Sequence, residues 1–363
     1  MKPRLRVLLA SLTLTACADS AGPPSRADSG DPTLASARSV STAVTTLPTF
    51  GGSSGEALAI NDAGTVVGYA SETNSSRTTP GVSYAARWVR NIAGVWQAPT
   101  RLGAAGGRAL ALNERGDAVG LRGVSARVWP ATGGEVTLPE GAVATGINNA
   151  GIIVGGTVWG NTGTALVWTP NADGMPGWSS RQLSPLEGGT FALAFAINEA
   201  GVIAGAAVSA DGRDQAVVWF PSPDGWSAPV RLSGVEASPG SSVSFGINAS
   251  GDVVGAYSAC LGCGFRAVFW PATGGRVDLS AFYSNDNASH AYGIGDDQRV
   301  VGRFFSRNAS ANPFLWEPGF TAFTDLGTGV ARDINNRVAS YGQEAVGFSA
   351  GSRGSIATVW RIP

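Results

Sequence analysis

Short apolar segments alternate with glycine-rich turns along most of the chain, and the same order of segments recurs seven times. Each unit reads as an apolar strand ending in Ile or Leu, an Asn-x-x-Gly turn, a Val-Val-Gly-like strand, an Ala-x-x-Trp strand and a final segment ending in Leu. Neighbouring units are 35 to 52 residues apart, an interval typical of four-stranded propeller blades. The sequence therefore predicts an all-β, seven-bladed β-propeller with four antiparallel strands per blade. The Ile position is held by Ile60, Leu112, Ile147, Ile197, Ile247, Ile294 and Ile334.

One Trp and one Gly recur in every unit. A large aromatic residue that appears once per unit favours core packing, so we expect the Trp side chains to fill the space between adjacent blades. A Gly inside a strand indicates close approach of another group, for which the repeat Trp is the candidate. The residues are Trp88, Trp129, Trp168, Trp219, Trp270, Trp316 and Trp360, with Gly68, Gly120, Gly155, Gly205, Gly255, Gly302 and Gly347.

The first strand of each unit has small residues three and one positions before the Ile, with Asp333 as the exception. Because residues two apart share a strand face, one face is nearly bare, and we expect it to meet the crowded propeller axis. The opposite face carries larger residues such as Leu58, Phe195 and Tyr292.

The Asn-x-x-Gly segments predict tight hairpin turns, because Asn favours the first turn position and Gly the left-handed one. Calcium binding is the alternative, but the stacked carboxylates that it needs are missing. Unit six replaces the turn Asn and Gly with Gly295 and Gln298, and unit seven has an insertion before Gly347. We expect these two blades to be the least regular.

The ring is predicted to close through the N-terminal segment. The Leu that ends the fourth strand follows the Trp in only six units, and Leu47, ahead of the first Ile, supplies the seventh. Residues 45–50 can therefore complete the last blade, which leaves no free sheet edge. The propeller then spans residues 44–363.

The N-terminus resembles a bacterial lipoprotein signal. Three basic residues precede a short apolar core, which is too short to span a bilayer, and Leu14 to Cys17 resembles a lipobox. This predicts a signal peptide over 1–16, acylation of Cys17 and a flexible tether over 17–43, poor in large apolar residues. An ordinary secretory signal with a chance Cys is the alternative. The expected location is the bacterial cell envelope, extracytoplasmic and lipid-anchored, with the outer membrane or cell surface favoured.

The repeats resemble the HAF family of probable extracellular repeats. The resemblance covers residues 45–363 and is nearest at Ala59 to Gly68 and at Pro313 to Gly327. The namesake His, four residues before the Trp, is absent from all seven units. The resemblance implies an extracytoplasmic propeller and no defined chemistry.

The charge pattern argues against nucleic acid as a partner. The formal net charge is −1, and no basic stripe that could neutralise phosphates runs through the chain. No metal site or cofactor is predicted. Cys260 and Cys263 are expected to form a disulfide in an oxidising compartment.

Variable loops predict where binding occurs. In a propeller the loops from second to third strand and from fourth to first strand share one face, here called the loop face, and such loops on a rigid scaffold usually carry function. The candidate ligand-binding residues are Arg77, Asp211, Arg213, Asp214, Tyr283, Asp286, Arg307 and the only His of the chain, His290, expected in the loop before unit six.

The favoured function is non-enzymatic binding of a glycan or an envelope protein. A polysaccharide hydrolase or lyase, which would need a convergent carboxylate pair, and a structural envelope protein are the alternatives.

Overall fold

Seven four-stranded antiparallel sheets form the seven blades of a β-propeller, as the repeats predict. The computed structural model describes residues 43–73, 81–159, 162–171, 177–234, 240–260, 262–279, 288–305, 310–320, 323–336, 342–351 and 354–362. Within these ranges every regular element is a strand, and no helix capable of crossing a membrane occurs. The predicted signal peptide, Cys17 and nearly all of the predicted tether lie outside the described residues.

The strands follow one another from the axis outwards in each blade. Blade one contains β2 (Gly51–Ile60), β3 (Val66–Glu72), β4 (Ser83–Trp88) and β5 (Thr100–Arg101). Blade two contains β6 (Gly107–Leu112), β7 (Ala118–Arg122), β8 (Ser125–Trp129) and β9 (Val136–Thr137). Blade three contains β10 (Val143–Ile147), β11 (Ile153–Trp159), β12 (Thr162–Pro170) and β13 (Trp178–Gln182). Blade four contains β14 (Ala192–Ile197), β15 (Ile203–Val208), β16 (Asp214–Trp219) and β19 (Val230–Arg231), with a hairpin of β17 (Pro221–Ser222) and β18 (Gly225–Trp226) before its last strand.

The remaining three blades repeat this order. Blade five contains β20 (Ser242–Ile247), β21 (Val253–Tyr257), β22 (Arg266–Trp270) and β23 (Val277–Asp278). Blade six contains β24 (Ser289–Ile294), β25 (Val300–Phe305), β26 (Ala311–Trp316) and β27 (Thr324–Asp325). Blade seven contains β28 (Val330–Ile334), β29 (Gln343–Gly351), β30 (Gly354–Ile362) and, from the start of the described chain, β1 (Val44–Thr46).

The N-terminal strand closes the ring. Strand β1 pairs with β30 in antiparallel register, with Val44 opposite Trp360. Leu47 follows directly and is only 3% exposed, packed in a core cluster with residues of blades one and seven. The predicted closure is confirmed, and the first and last described strands belong to the same blade.

Every inner strand carries a β-bulge, and the bulge explains the constant Gly of the second strand. In blade three the register shifts between Ala144 and Gly146, so two residues oppose one on the partner strand. A Cβ at Gly155 would collide with the carbonyl oxygen of Val143, and the other six repeat glycines meet the equivalent inner-strand carbonyl. The approaching group is therefore the bulged backbone. The prediction that the repeat Trp is the group that approaches this Gly is wrong, because the carbonyl oxygen is nearer at all seven glycines.

The repeat Trp side chains lie between blades, as predicted, and they also link them. All are buried. The Trp168 indole donates to the carbonyl of Pro139, 2.8 Å away, which directly follows the last Leu of the preceding blade. Trp88, Trp219 and Trp270 make the equivalent bond to the blade before them. In these four residues the indole therefore buries a large apolar area and satisfies its one donor at the same time.

The Asn-x-x-Gly turns fasten neighbouring blades to each other. The Asn148 side chain accepts from the amide of Ile152 within its own turn at 3.0 Å. Its amide group donates to the carbonyl of Asn198 in the next blade at 3.2 Å. The same side-chain-to-carbonyl bond recurs from blade one to blade six. The predicted turn role is confirmed, and the buried Asn side chains form a belt of hydrogen bonds around the face opposite the loops.

Blade six is more regular than expected. It keeps all four strands, because Gln298 adopts the left-handed conformation (φ 64°) that the turn Gly provides elsewhere. Its side chain donates to Asp252 of blade five at 2.9 Å. The insertion of blade seven, residues 337–341, lies outside the described residues.

Candidate functional site at the axial mouth

Three of the predicted loop residues lie together in blade four, and two of them, Asp211 and Arg213, are in contact. Asp211 is exposed at the tip of the β15–β16 hairpin, where it accepts hydrogen bonds from Arg213 and from the hydroxyl of Ser209. The bonds from Arg213 and Ser209 lower the pKa of Asp211 to about 2. Asp214 is the first residue of β16. This arrangement stabilises the hairpin and does not approach the axis.

Four other predicted loop residues lie outside the described parts of the chain: Arg77, Tyr283, Asp286 and Arg307. The remaining one, His290, does not lie in a loop. It belongs to the inner strand β24, opposite Arg303 of β25, and is 7% exposed. The placement predicted for His290 is therefore wrong, because β24 begins one residue earlier, at Ser289.

The axis is lined by the bulged residue of each inner strand. The seven are Leu58, Leu110, Thr145, Phe195, Phe245, Tyr292 and Arg332, and they enclose a cavity of about 130 Å³. A second cavity of about 200 Å³ shares this ring and extends towards the Asn turns. The expectation that the small residues face the axis is wrong for the position three before the Ile, because the bulge turns the strand and Ala57 packs against blade seven. It holds for the position directly before the Ile, whose small residues, such as Ala59, line the second cavity.

His290 is stacked in an aromatic group beside this ring. Its imidazole lies parallel to the Tyr292 ring, with 5.9 Å between centroids and 9° between planes, and stacks on Phe265 at 5.7 Å. Burial, together with the charges of Arg303 and Arg332, lowers the pKa of His290 to about 3. The imidazole is therefore neutral at physiological pH. In this form one ring nitrogen of His290 can donate a hydrogen bond and the other can accept one.

Charged side chains surround the loop-face end of the same ring. The guanidinium carbon of Arg332 lies 4.9 Å from the centroid of Tyr292, and that of Arg303 lies 5.9 Å from it. Within blade one, Tyr69 of β3 donates to the buried Glu56 carboxylate on β2, to which it lies opposite. Burial and the Glu56 charge raise the pKa of Tyr69 above its ordinary value.

The residues around Tyr292 and the Tyr69–Glu56 pair belong to one site. Arg108 of blade two stacks over Tyr69, with its guanidinium carbon 4.3 Å from the ring centroid. The charge of Arg332 acts both on Tyr69 and on His290. We call this site the axial cluster: Glu56, Tyr69, Arg108, His290, Tyr292, Arg303 and Arg332.

The axial cluster is confined to one side of the ring. Its residues come from blades six, seven, one and two. At the position of Glu56 and His290, blades three to five carry Val143, Leu193 and Val243, all buried. The site is thus bounded by an apolar, partly aromatic half, in which Phe195 and Phe245 meet edge to face.

Several polar atoms of the axial cluster are buried without a hydrogen-bond partner among the described residues. They include the Nδ1 atom of His290, the hydroxyl of Tyr292 and the Nε atom of Arg303. Leaving a buried polar group unpaired costs about 1–3 kcal/mol, so several such atoms in one place need an explanation. Together they give the site the capacity to bind a polar ligand.

A disulfide lies next to the aromatic group. Cys260 and Cys263 are joined, with Cα atoms 5.2 Å apart, in the loop before Phe265. The Ser258 hydroxyl donates to the carbonyls of Cys260 and Cys263 at 2.7 and 3.1 Å. In the described part of the chain, no group of three or more His, Cys, Asp or Glu residues is placed to hold a metal ion.

Sequence reasoning missed most of the axial cluster. Glu56, Tyr69, Arg108, Arg303 and Arg332 lie far apart in the sequence and form no motif. The signal that could have found them is positional. When the seven units are aligned, Glu56, Arg108 and Arg332 are charged at inner-strand positions, and Arg303 is charged at a second-strand position, where most other units have uncharged residues.

The fold and the site define a seven-bladed β-propeller with a charged, partly aromatic site at its axial mouth. No protein-family model matches this chain, and no curated protein does. An ulvan lyase from a new polysaccharide lyase family, solved with a GlcA(1-4)Rha3S unit bound, is similar at 12% identity and a TM-score of 0.45, over 86% of this chain and 94% of that one. The intramolecular trans-sialidase of Ruminococcus gnavus is similar at 11% identity and a TM-score of 0.31, over 89% and 79%. Both likenesses concern the overall fold alone.

Proposed function

We propose that this chain is an exported, lipid-anchored propeller of the HAF-like repeat type that binds a glycan at the axial mouth without transforming it. The observation that carries the proposal is the axial cluster, where stacked aromatic rings adjoin buried polar atoms that lack partners. Sugars bind in such places because their CH faces pack on aromatic rings while their hydroxyls pair with fixed donors and acceptors.

The non-enzymatic character is supported by the charge content of the cluster. Glycoside hydrolysis commonly uses two carboxylates about 5–10 Å apart. The axial cluster contains one carboxylate, Glu56, which accepts a hydrogen bond from Tyr69. This arrangement favours binding over the hydrolase alternative.

The test is a binding measurement on the full chain with a panel of neutral, uronate-containing and sulfated oligosaccharides, combined with mass spectrometry of the sugar afterwards. We expect saturable binding and unchanged oligosaccharides. Shortened or unsaturated products would favour the enzyme alternative. No binding by any member of the panel would favour a structural role in the envelope.

Two tyrosine variants distinguish the axial mouth from other surfaces. In Tyr292→Phe the ring stays and only a hydroxyl without a partner is removed, so binding should weaken while stability is kept. In Tyr257→Phe the lost hydroxyl donates to Asp278 in blade five, so stability should fall while binding is kept. Unchanged binding by Tyr292→Phe would argue against the axial site.

The anchor is tested separately. Replacing Cys17 by Ser should abolish acyl labelling and release the protein from the membrane fraction, because acyl chains supply the membrane affinity. Membrane association that survives this substitution would contradict the anchor and leave the glycan proposal intact.

A further inference from the structure

The axial cluster has more positive than negative charge in a half-buried setting. Among the described residues of the cluster, three guanidinium groups, those of Arg108, Arg303 and Arg332, occur with one carboxylate, Glu56, which already accepts the Tyr69 hydroxyl. The neutral His290 adds no charge. Charges in such a place are normally balanced, because an uncompensated charge away from water is costly. The site is therefore electrostatically prepared for an anion.

The excess positive charge lies around the ring of Tyr292. Arg303 and Arg332 approach the same Tyr292 ring from blades six and seven. The unpartnered Tyr292 hydroxyl and Arg303 Nε atom belong to this group. Both can donate to an oxyanion, and guanidinium groups bind planar oxyanions with two parallel hydrogen bonds.

The space is suited to a small group. The ring cavity of about 130 Å³ corresponds to roughly four water molecules. It can take an oxyanion and part of one sugar ring, with the apolar Phe195 and Phe245 side opposite the charges. A polymer cannot thread through a space of this size, so the anionic group enters from the loop face.

We propose that the axial cluster binds an acidic saccharide by its oxyanion, which pairs with Arg303 and Arg332 above the Tyr292 ring. The inference rests on the proposed glycan binding and names the ligand class. The shared chemistry is an oxyanion carried on a sugar, either the carboxylate of a uronic acid or a sulfate ester.

The affinity test uses the full chain and three oligosaccharides of equal length, one neutral, one with uronic acids and one sulfated. Arg303→Gln and Arg332→Gln should each weaken binding of the anionic ligands by about tenfold or more, as expected for a charge-assisted hydrogen bond. The exposed Arg231→Gln in the outer strand of blade four is the matched control and should bind like the parent. The two anionic arms show which oxyanion is preferred.

A second measurement does not depend on the variants folding. The chain contains one His, so histidine labelled at Cε1 gives one resonance, provided that no histidine tag is present. Anionic oligosaccharide should shift this resonance and raise the pKa of His290, because the bound charge offsets Arg303 and Arg332. The neutral oligosaccharide should not raise it.

The outcomes separate the two proposals. If no oligosaccharide binds, the glycan proposal itself fails. If the neutral oligosaccharide binds as tightly as the anionic ones, and Arg303→Gln and Arg332→Gln bind like the parent, only the acidic ligand class is overturned. An anionic ligand that binds without moving the His290 resonance would place the site elsewhere.

Discussion

The Asp333 carboxylate of the last blade accepts a hydrogen bond from the backbone amide of Ile60 in the first blade, at 2.9 Å. Asp333 holds the position directly before the conserved Ile, where the other six blades have Ala or Gly. The one exception to the small-residue rule thus lies at the seam where the first and last blades meet. Asp333 links the two inner strands that no covalent turn connects.

The seam should depend on pH. Burial raises the pKa of Asp333 to about 6, against the opposing effect of the Ile60 and Ile334 amides. The folded protein therefore keeps a proton that the unfolded chain releases near pH 4. Its contribution to stability is complete below about pH 4 and is lost as the pH rises to about 6. Relative to that of Asp333→Asn, the free energy of unfolding of the parent should fall by about 2 kcal/mol between pH 4 and pH 6.

The measurement is chemical denaturation of both proteins at several pH values between 3.5 and 7. Asp333→Asn is the informative variant because its side-chain oxygen still accepts from Ile60 while the charge is removed. The exposed Asp224→Asn, in the β17–β18 hairpin, serves as the control. Parallel stability curves for the parent and Asp333→Asn would rule out titration at the seam.

Ring closure by β1 predicts a large effect at Leu47. Leu47 is 3% exposed among core residues of blades one and seven, so Leu47→Ala should cost about 2–5 kcal/mol in unfolding free energy. Val44 lies in the same closing segment but is 54% exposed, and Val44→Ala should change stability by less than about 0.5 kcal/mol. Equal effects of the two substitutions in a denaturant titration would contradict the closure.

Repetition made the architecture predictable. Seven copies of one pattern established the blade number, the turn chemistry of the Asn residues and the inter-blade role of the Trp residues. The closing strand followed from one missing Leu after the seventh Trp and its counterpart Leu47. The blade number, the turn residues and the repeat Trp were predictable because each recurs in all or most of the seven units.

The axis could not be predicted in the same way. A bulge changes which face of a strand a residue occupies, and no residue type marks it except the Gly on the neighbouring strand. Tyr292 and Arg332 therefore face the axis, contrary to the alternation rule. Glu56 and Arg332 lie at opposite ends of the sequence, and only closure of the ring brings them to one site.

The bulge itself can be tested at the repeat Gly. A Cβ at Gly155 would overlap the Val143 carbonyl oxygen, which can move only with the inner strand. Gly155→Ala should therefore cost more than about 4 kcal/mol or prevent folding. The control is Gly133→Ala, where φ is 98° and no atom lies within 4 Å, so backbone strain alone should cost about 1–3 kcal/mol. Similar losses for both variants would show that the carbonyl contact is not the cause.

His290 should stay neutral over the whole physiological range. Burial comes first among the causes that lower its pKa to about 3, followed by the charges of Arg303 and Arg332. The unfolded chain binds a proton near pH 6.5, so the contribution of this group to stability is present above about pH 6.5 and is lost as the pH falls towards 3.

The single histidine resonance of the ligand-free protein should accordingly not titrate between pH 5 and 8. In Arg303→Gln the midpoint should rise, because one of the two nearby positive charges is removed, while the exposed Arg231→Gln should leave it unchanged. A midpoint near 6.5 in the parent would mean that the imidazole is solvated, and the stacking of His290 between Tyr292 and Phe265 would then not describe the protein in solution.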